Sequence, residues 1–503
     1  MSGWGSGYVT DIAYMTGYYR HQSPSVMALT CLLGGVASPL PSHDDPVSYL
    51  ELGCGQGFGA LILAASNPHW TVTAIDFNPA HVAAARGWAA QAGIANVRFL
   101  EADLATLAED SASAQVPEVD FVSMHGVWTW VPPAAQSGIL RLLRGKVKPG
   151  GAVHVSYNSL PAWGSALGMQ RVLRDCGRRL GTRSDRQAEE GLKLVKELLA
   201  ADAVQLKRSP MATKLIERTG IMPGPYLAHE YMNESFAPCF HADVAAAFAG
   251  AKLEWVGSAN MIENFPDLML TPEQRAVTQR LDDPLLRELL KDMCLDRALR
   301  HDVFVRGARR VSPAARDAAL MDVCLALNIS PEEMPYEAEM PAGRAALNRS
   351  FYGPITEAMA MGPRRVGDLL AAPNLEGRRD NPAELIGILV GLDLAEPAAR
   401  PGAEPTPQAL RFNRVALANL RYTENLGRQI AAASYALGTG APCTLFELYV
   451  AERMRSGDSE ANIDDWVRDI GGNPDAEARG NLRQVFAKAW HVRLPILRAQ
   501  GVF

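Results

Sequence analysis

The sequence predicts an α/β protein built on a doubly wound, mostly parallel sheet. The first observation is an apolar strand that runs into the glycine-rich turn 51–57, which reads E-L-G-C-G-Q-G. The second is the acid Asp76 at the end of the next predicted strand, the outline of a nucleotide-type cofactor site. The third is the alternation of short apolar runs with helical stretches, which is typical of parallel strands joined by helices on both faces.

The individual elements follow from local signals along the chain. A helix is predicted at 27–33 ahead of the first strand, and another at 79–92, because Asn78 and Pro79 supply a cap followed by proline at the first helical position. The other predicted elements are strands at 47–52, 71–76, 97–100, 121–124 and 152–157, a helix at 136–143, a turn at 148–151, and a helix and an outer strand at 244–248 and 253–256.

The spacing of the glycines separates two kinds of cofactor site. Counted from Gly53, the dinucleotide pattern G-x-G-x-x-G needs a glycine where Phe58 stands, and counted from Gly55 it ends on Ala60. The turn reads E-x-G-x-G-x-G instead, with Glu51 two residues before the first glycine. This pattern resembles the S-adenosylmethionine (SAM) site of class I methyltransferases, whose cofactor carries cationic ammonium and sulfonium groups that an acid can face.

The cofactor residues implied by this resemblance lie at the ends of the first strands. Asp76 can accept hydrogen bonds from ribose hydroxyls, and Asp103 looks like the acid that meets the adenine amino group in that family. The predicted cofactor-binding residues are Glu51, Gly53, Cys54, Gly55, Gln56, Gly57, Asp76, Phe77, Asp103, Leu104 and His125. The implied cofactor is SAM, with S-adenosylhomocysteine as its product, and no metal site is predicted.

Composition and charge argue against several other classes of protein. The chain has 503 residues and a net charge of −6, unlike a general nucleic-acid binder. No apolar run reaches the ~18 residues of a membrane helix, no secretory signal is visible at the start, and the seven cysteines form no C-x-x-C pair. We therefore expect a soluble, cytoplasmic protein without membrane insertion or a nucleic-acid partner.

The chain is long enough for several domains. We predict a cofactor-binding domain at 1–165, a helical insertion followed by a regulatory-type domain at 166–310, and a mostly helical, winged-helix-like domain at 311–503. Two arginine-rich stretches, 171–186 and 297–310, are expected to form solvated or salt-bridged faces of helices.

The ends of the fourth and fifth strands indicate the acceptor side. In-line methyl transfer needs a nucleophile held about 3 Å from the methyl carbon, with water excluded, so the acceptor enters over these ends. They read H-G-V-W-T-W-V-P-P at 125–133 and S-Y-N-S-L-P-A-W at 156–163. Together with Y-L-A-H-E-Y at 226–231, they resemble the bacterial class I methyltransferases that carry a methyltransferase regulatory domain, over roughly residues 8–310.

That family includes the rickettsial protein-lysine methyltransferases. The resemblance implies a protein substrate with a lysine side chain as the leading acceptor, and a homodimer. Two alternatives stay open: a small-molecule N- or O-methyltransferase, which would use a closed pocket, and a non-catalytic SAM-sensing protein. An extended groove toward the C-terminal domain counts against the small-molecule enzyme.

Four residues are candidates for catalysis. His125 could relay a proton or order the acceptor, because a histidine pKa lies near working pH, or it could pack against neighbouring aromatics. Tyr157 and Asn158 could hold the acceptor amine. Glu230 could attract a lysine ammonium and accept its proton, or it could cap a helix or pair with an arginine.

The predicted acceptor-binding residues are mostly aromatic. Trp128, Trp130 and Trp163 could wall a channel around an alkylammonium by cation–π attraction of ~0.5 to 2 kcal/mol, or they could be core aromatics. Tyr19 and His229 complete this set. We expect the tyrosine-rich segment before the first strand to fold over the cofactor, and one of its tyrosines to reach the SAM carboxylate or the acceptor.

Overall fold

The computed structural model describes residues 5, 7–12, 15–40, 44–109, 111–218, 222, 224–422, 425–471 and 475–503. Its main strands are β1 (Ser48–Leu52), β2 (Thr71–Asp76), β3 (Val97–Glu101), β4 (Val119–Met124), β5 (Val147–Asn158), β6 (Leu253–Ser258) and β7 (Leu299–Arg306). They form one seven-stranded sheet of order β3-β2-β1-β4-β5-β7-β6. The first five strands are parallel, and β7 runs antiparallel to both of its neighbours. The predicted fold class is confirmed.

Helices cover both faces of this sheet. They are α1 (Pro24–Leu33), α2 (Phe58–Ser66), α3 (Pro79–Ala92), α4 (Ser111–Ala114) and α5 (Pro133–Lys146). The predicted helix at 79–92 has the predicted start, since the Asn78 side chain accepts a hydrogen bond of 2.9 Å from the Ala80 amide. Helix α2 is apolar and buried along its whole length, because the C-terminal part of the chain packs on it from the side opposite the sheet.

The predicted turn at 148–151 lies inside a strand rather than at its end. In β5, Val147 pairs with Val119 and Ala152 pairs with Phe121. The four residues 148–151 of β5 therefore stand opposite a single residue of β4, Asp120. Within them, Gly150 takes a positive φ of 84°. The glycines make a bulge from which the chain rejoins the same strand.

A helical insertion and a second group of helices follow β5. The helices are α6 (Leu167–Leu180), α7 (Ser184–Ala200), α8 (Val204–Lys207), α9 (Pro210–Arg218), α10 (Gly224–Tyr231), α11 (His241–Ala249), α12 (Pro266–Met269), α13 (Pro272–Thr278) and α14 (Pro284–Cys294). The predicted outer strand is β6, which forms the edge of the main sheet.

Strand β7, between β5 and β6, is absent from the sequence-based prediction. Arg300, inside it, is fully buried, and its guanidinium lies 2.9 Å from carboxylate oxygens of Glu288, Asp292 and Asp302. Arg297 is also buried and pairs with Glu263 at 2.9 Å. The expectation that the arginines of 297–310 form a solvated or salt-bridged helix face is therefore wrong for these two, because they join a buried ionic network at a sheet strand.

The C-terminal part contains short strands and many helices. The elements are α15 (Pro313–Met321), β8 (Cys324–Leu327), β9 (Glu337–Met340), β10 (Gly343–Ala346), α16 (Arg349–Ala360), β11 (Arg364–Arg365), α17 (Val366–Leu370), α18 (Pro382–Gly391), β12 (Ala395–Pro397), α19 (Pro407–Leu420), β13 (Gln429–Ser434), β14 (Thr439–Thr444), α20 (Leu445–Arg455), α21 (Ile463–Gly471), α22 (Ala476–Lys488) and α23 (Leu494–Ala499). From α16 to β12 the order is helix, strand, helix, helix, strand, as in winged-helix modules.

This part docks on α2 through hydrogen bonds to polar groups at the end of that helix. Ser66 donates to the carbonyl of Thr439 at 3.0 Å, and the Asn67 amide donates to the carbonyl of Gly438 at 2.8 Å. Among the described helices, none combines the length and the apolar character that crossing a membrane requires.

Candidate functional site

A cavity of about 260 Å³ opens at the C-terminal edge of the sheet, where β1 to β4 end. Carboxyl ends of parallel strands are the usual place for a ligand in open α/β sheets, because loops diverge there and leave a crevice. The strand-end residues that line it are Glu51, Gly53, Cys54, Gly55, Gln56, Asp76, Phe77, Asp103, Leu104 and His125. Of the predicted cofactor-binding residues, Gly57 is the one that does not line the cavity.

The glycine turn shapes one side of the cavity. Gly55 has a φ of +52°, and its amide donates a 2.8 Å hydrogen bond to Asp76 Oδ2. A β-carbon at position 55 would meet no atom within 4 Å, so it would project into ligand space. At Gly57 a β-carbon would lie 2.5 Å from the Phe99 ring. Gly57 therefore lets helix α2 begin close to the sheet.

Glu51 is a buried carboxylate on the cavity wall. Its Oε1 accepts a 3.2 Å hydrogen bond from the Gln22 side chain, whereas Oε2 makes no hydrogen bond with any described residue. Burial raises the pKa of Glu51 to about 7, against the lowering effects of the Gln22 side chain and the Ala60 backbone amide. A buried acid with an unused oxygen is a favourable partner for a cationic group of a ligand.

The two other strand-end acids are oriented by backbone amides. Asp76 Oδ1 accepts a 2.9 Å hydrogen bond from the Asn78 amide, and its Oδ2 accepts the bond from Gly55. Asp103 Oδ1 accepts 2.8 Å from the Ala105 amide. These bonds hold the two carboxylates at the cavity rim without help from a ligand.

The segment before the first strand covers the cavity. Residues 15–20, called here the strap, contribute Met15, Thr16, Gly17 and Tyr19 to the lining. The Tyr19 ring stacks on His125 with 3.7 Å between ring centroids. Tyr8 also lines the cavity, and its ring meets Phe77 edge-on at 5.8 Å. The expected cover over the cofactor site is therefore made by tyrosines on two sides.

His125 belongs to a cluster of four histidines, of which His154 and His301 are buried and His21 and His125 half-buried. His301 lies at its centre, with ring centroids 4.0, 5.5 and 5.6 Å from those of His21, His125 and His154. Burial lowers the pKa of His125 well below its usual range, so the ring is neutral at physiological pH. Its Nδ1 forms no hydrogen bond with any described residue. In the described parts of the chain, no three His, Cys, Asp or Glu side chains are arranged to hold a metal ion.

Glu230 lies near the cavity but is not one of the residues that line it. It is partly buried in helix α10, and burial raises its pKa to about 7, although a hydrogen bond with Asn158 acts in the opposite direction. Asn158 is itself fixed, because its Oδ1 accepts a 2.9 Å hydrogen bond from Thr129. After burial, the charges of Asp76 and Glu230 are the next causes that raise the pKa of Tyr8. Tyr8, which lines the cavity, therefore lies near Glu230.

The structure places other predicted residues away from the cavity. Tyr157 is fully buried, and its hydroxyl donates to Asp302 in the ionic network. Trp128 packs against Phe248 at 5.2 Å in the core under β5 and β7, and Trp163 packs in the core of the helical insertion. Both tryptophans are therefore core aromatics, as the alternative interpretation had it, and neither lines the cavity.

His229 has a contact on the strap side of the insertion. Its Nε2 lies 3.2 Å from the carbonyl of Ile12, and its ring lies 5.7 Å from that of Tyr8. His229 therefore helps to hold the Tyr8 ring in place.

Sequence reasoning missed several lining residues. Gln22, which bonds to Glu51, comes from the short 3₁₀ turn before α1, and Val131 comes from the loop after β4. Of the three tryptophans predicted to wall a channel, Trp130 lines the cavity, two residues after Trp128 in the motif H-G-V-W-T-W-V-P-P. A signal for preferring Trp130 was its place next to Val131-Pro132-Pro133, where α5 begins and the loop must pass the cavity.

Two family models match this chain. A methyltransferase domain matches residues 50–151, which hold the strands and turn of the cavity, and a predicted methyltransferase regulatory domain matches 224–306, from α10 through β7. The uncharacterized protein sll1526 of Synechocystis is 30% identical over 460 residues, which cover 90% of this chain and 89% of that protein.

The chain belongs to the methyltransferases with a methyltransferase regulatory domain. The uncharacterized protein RP028 of Rickettsia prowazekii is 24% identical over 227 residues, 44% of this chain and 86% of that protein. Among solved structures, PKMT2 from Rickettsia typhi in complex with AdoHcy has a TM-score of 0.71 at 17% identity, over 97% of this chain and 99% of that one. This last likeness shows a shared fold along the whole chain.

This methyltransferase uses SAM, and the cavity suits it. When bound, SAM supplies a methyl group on a cationic sulfonium. The unused Glu51 oxygen would face the cofactor's cationic groups, Asp76 would hold the ribose, and Asp103 would lie near the adenine. The free space at Gly55 leaves room for close approach of the cofactor to the backbone.

Proposed function

We propose that this methyltransferase transfers the methyl group of SAM to a lysine side chain of a protein. The observation that carries the proposal is Glu230, a partly buried carboxyl group with a pKa raised by burial to about 7, beside the tyrosine-lined cofactor cavity. The similarity along the whole chain to PKMT2, and the motifs at 125–133, 156–163 and 226–231, support the same acceptor class.

Lysine methylation requires that an ammonium lose its proton before it can attack. A free lysine side chain has a pKa of about 10.4, so it arrives charged at neutral pH. Above pH 7 the Glu230 carboxylate is ionised, attracts that ammonium, and can accept its proton. Asn158 holds the carboxyl group in place, because it is bonded both to Glu230 and to Thr129.

Four tyrosines lie near Glu230 or along the cofactor cavity beside it. Tyr8 and Tyr19 line the cofactor cavity. After burial, Glu230 is the next cause that raises the pKa of Tyr226 and of Tyr231, which places these two tyrosines around the same carboxyl group. Such a surround suits a lysine side chain, whose apolar stem packs on rings and whose charged end seeks a carboxylate.

The test compares wild type with Glu230→Gln. The full-length protein is incubated with isotopically labelled SAM and a lysate of the cells that carry the gene, and labelled residues are identified by mass spectrometry. We expect label on protein lysines, and a rate that rises with pH through about 7, where Glu230 ionises. Glu230→Gln should lower the rate by about 10²-fold or more, as loss of a proton acceptor does, and leave SAM affinity unchanged.

Glu234→Gln is a matched control, since Glu234 follows the same helix but is exposed and pairs with Arg178 at 2.6 Å. It should keep the wild-type rate. Label that enters only low-molecular-weight material would move the enzyme to the small-molecule class. Tight SAM binding without any label would favour the SAM-sensing alternative, and a wild-type rate in Glu230→Gln would remove Glu230 from the mechanism.

A further inference from the structure

The strap has two faces with different partners. Met15, Thr16, Gly17 and Tyr19 line the cofactor cavity, and Tyr19 stacks on His125. Tyr18 and Arg20 stand on either side of Tyr19. They contact residues of the C-terminal part that lie 421 and 370 positions further along the chain. The same short segment thus touches both the cofactor site and the C-terminal part.

Tyr18 binds the hairpin of β13 and β14. Its hydroxyl is hydrogen-bonded to Thr439 Oγ1 and accepts a 3.3 Å bond from the Gly440 amide. The ring packs directly on Gly440, where a β-carbon would lie 2.9 Å from Tyr18 Cε1. A side chain at position 440 would therefore displace the tyrosine.

Arg20 binds the end of α18 and strand β12. Its guanidinium donates to the carbonyl of Val390 at 2.9 Å and to Glu396 Oε2 at 3.2 Å, and it also pairs with Asp393. Glu396 is buried, with 2% of its surface exposed. A buried carboxylate needs a partner, so this ion pair commits Arg20 to one position.

We propose that Tyr18 and Arg20 are positioning residues, through which the C-terminal part of the chain holds the strap against the cofactor. A free strap would sample other conformations, and apparent SAM affinity falls with the fraction of molecules whose strap is in place. The contacts fix the backbone on both sides of Tyr19, and Arg428 adds a hydrogen bond to the carbonyl of Thr16. This role concerns the cofactor and does not depend on the acceptor.

The first arm of the test removes the hydrogen bond between Tyr18 and Thr439 by changing each partner in turn. Tyr18→Phe and Thr439→Val should each weaken SAM binding by about three- to tenfold, as expected for a lost hydrogen bond. The double variant should be little weaker than Tyr18→Phe alone, because Tyr18→Phe already removes the bond to Thr439 together with the one from the Gly440 amide. Isothermal titration gives the affinities, and hydrogen–deuterium exchange of the ligand-free protein should be faster in residues 15–20.

The second arm replaces the buried ion pair without leaving a buried charge unpaired, because the other partner of Arg20, Asp393, is exposed. Arg20→Gln combined with Glu396→Gln should also weaken SAM binding and speed exchange in the strap. Lys488→Gln is the control, because Lys488 forms its ion pair within the C-terminal part, with Glu333 at 2.9 Å. It should leave SAM affinity and strap exchange unchanged.

Thermal unfolding of each variant separates positioning from stability. If Tyr18→Phe and Thr439→Val keep wild-type SAM affinity and wild-type exchange in residues 15–20, the proposal is overturned, whatever happens to the unfolding temperature. If the Arg20 and Glu396 double variant fails to fold, the two single hydrogen-bond variants still decide the question.

Discussion

At the scale of single residues, Glu51 shows how the cofactor site sacrifices stability for binding. The carboxyl group is buried, one of its oxygens has no hydrogen bond from a described residue, and its pKa is raised by burial to about 7. Such a group is costly in the ligand-free protein and useful only when a cation lies against it.

Glu51→Gln should therefore stabilise the ligand-free protein in a pH-dependent way. The ordinary glutamate pKa is 4.5 and the folded value is about 7, so between these values the unfolded chain has released a proton that the folded state keeps. Stability from this group falls as pH rises through that window and stays reduced above it. We expect the free energy of unfolding at pH 8 to rise by roughly 1 to 3 kcal/mol, with little change at pH 5.

Denaturant unfolding at the two pH values measures this effect, and titration with SAM should show weaker binding by the same variant. The exposed Glu118 is a control, because Glu118→Gln should change neither quantity. An unfolding free energy at pH 8 that equals that of wild type would contradict the assignment of Glu51 as a strained, buried acid.

At the scale of elements, helix α5 sets the position of the loop after β3. Gly138 faces this loop so closely that a β-carbon would lie 2.0 Å from the Leu104 carbonyl oxygen and 2.8 Å from that of Ala105. Leu104 and Ala105 both line the cofactor cavity. The helix and the adenine side of the site therefore cannot move independently.

Gly138→Ala should push this loop or the helix and weaken SAM binding, with a loss of stability of about 1 to 3 kcal/mol from overpacking. Gly145→Ala in the same helix is the matched control, because a β-carbon there would meet no atom within 4 Å. That change should leave SAM affinity unaltered and raise stability by up to ~1 kcal/mol, since alanine is the better helix former. Equal SAM affinities in the two variants would contradict the coupling.

At the scale of the whole molecule, the buried ionic network ties the regulatory region to the main sheet. Arg300 on β7 pairs with Glu288 and Asp292 of α14 and with Asp302 of its own strand. Tyr157 on β5 joins through its hydroxyl. The matched regulatory domain thus contributes a strand to the sheet that carries the cofactor site, and the two share one folded unit.

Arg300→Met should therefore destabilise the entire protein by about 3 to 5 kcal/mol, because it leaves buried carboxylates without their cation. The denaturant midpoint of unfolding should fall by the same amount whether it is followed by circular dichroism or by tryptophan fluorescence. Arg310→Gln is the control, since its ion pair with Glu254 is exposed and is worth ~1 kcal/mol or less. A similar small loss in Arg300→Met would show that the network contributes little.

The parts of the fold that could be predicted are those with local signals. Strands β1 to β5 carry apolar runs, and α3 has its cap and proline in consecutive positions. Strand β7 escaped prediction because its first residues, Leu-Arg-His-Asp, read as polar, and only Val303-Phe304-Val305 is an apolar run. Its charged residues are tolerated inside because α14 supplies partners from another part of the chain.

The sequence by itself determined the cofactor side of this protein. The glycine turn and the acids after β1, β2 and β3 follow strand ends, and parallel strands bring such ends to one edge of a sheet. The tertiary structure alone decided the surroundings of Glu230: successive residues of β5 face opposite ways, so Asn158 bonds to Glu230 while Tyr157 enters the ionic network. It also decided the strap, because Tyr18 and Arg20 meet partners that only folding of the whole chain brings near.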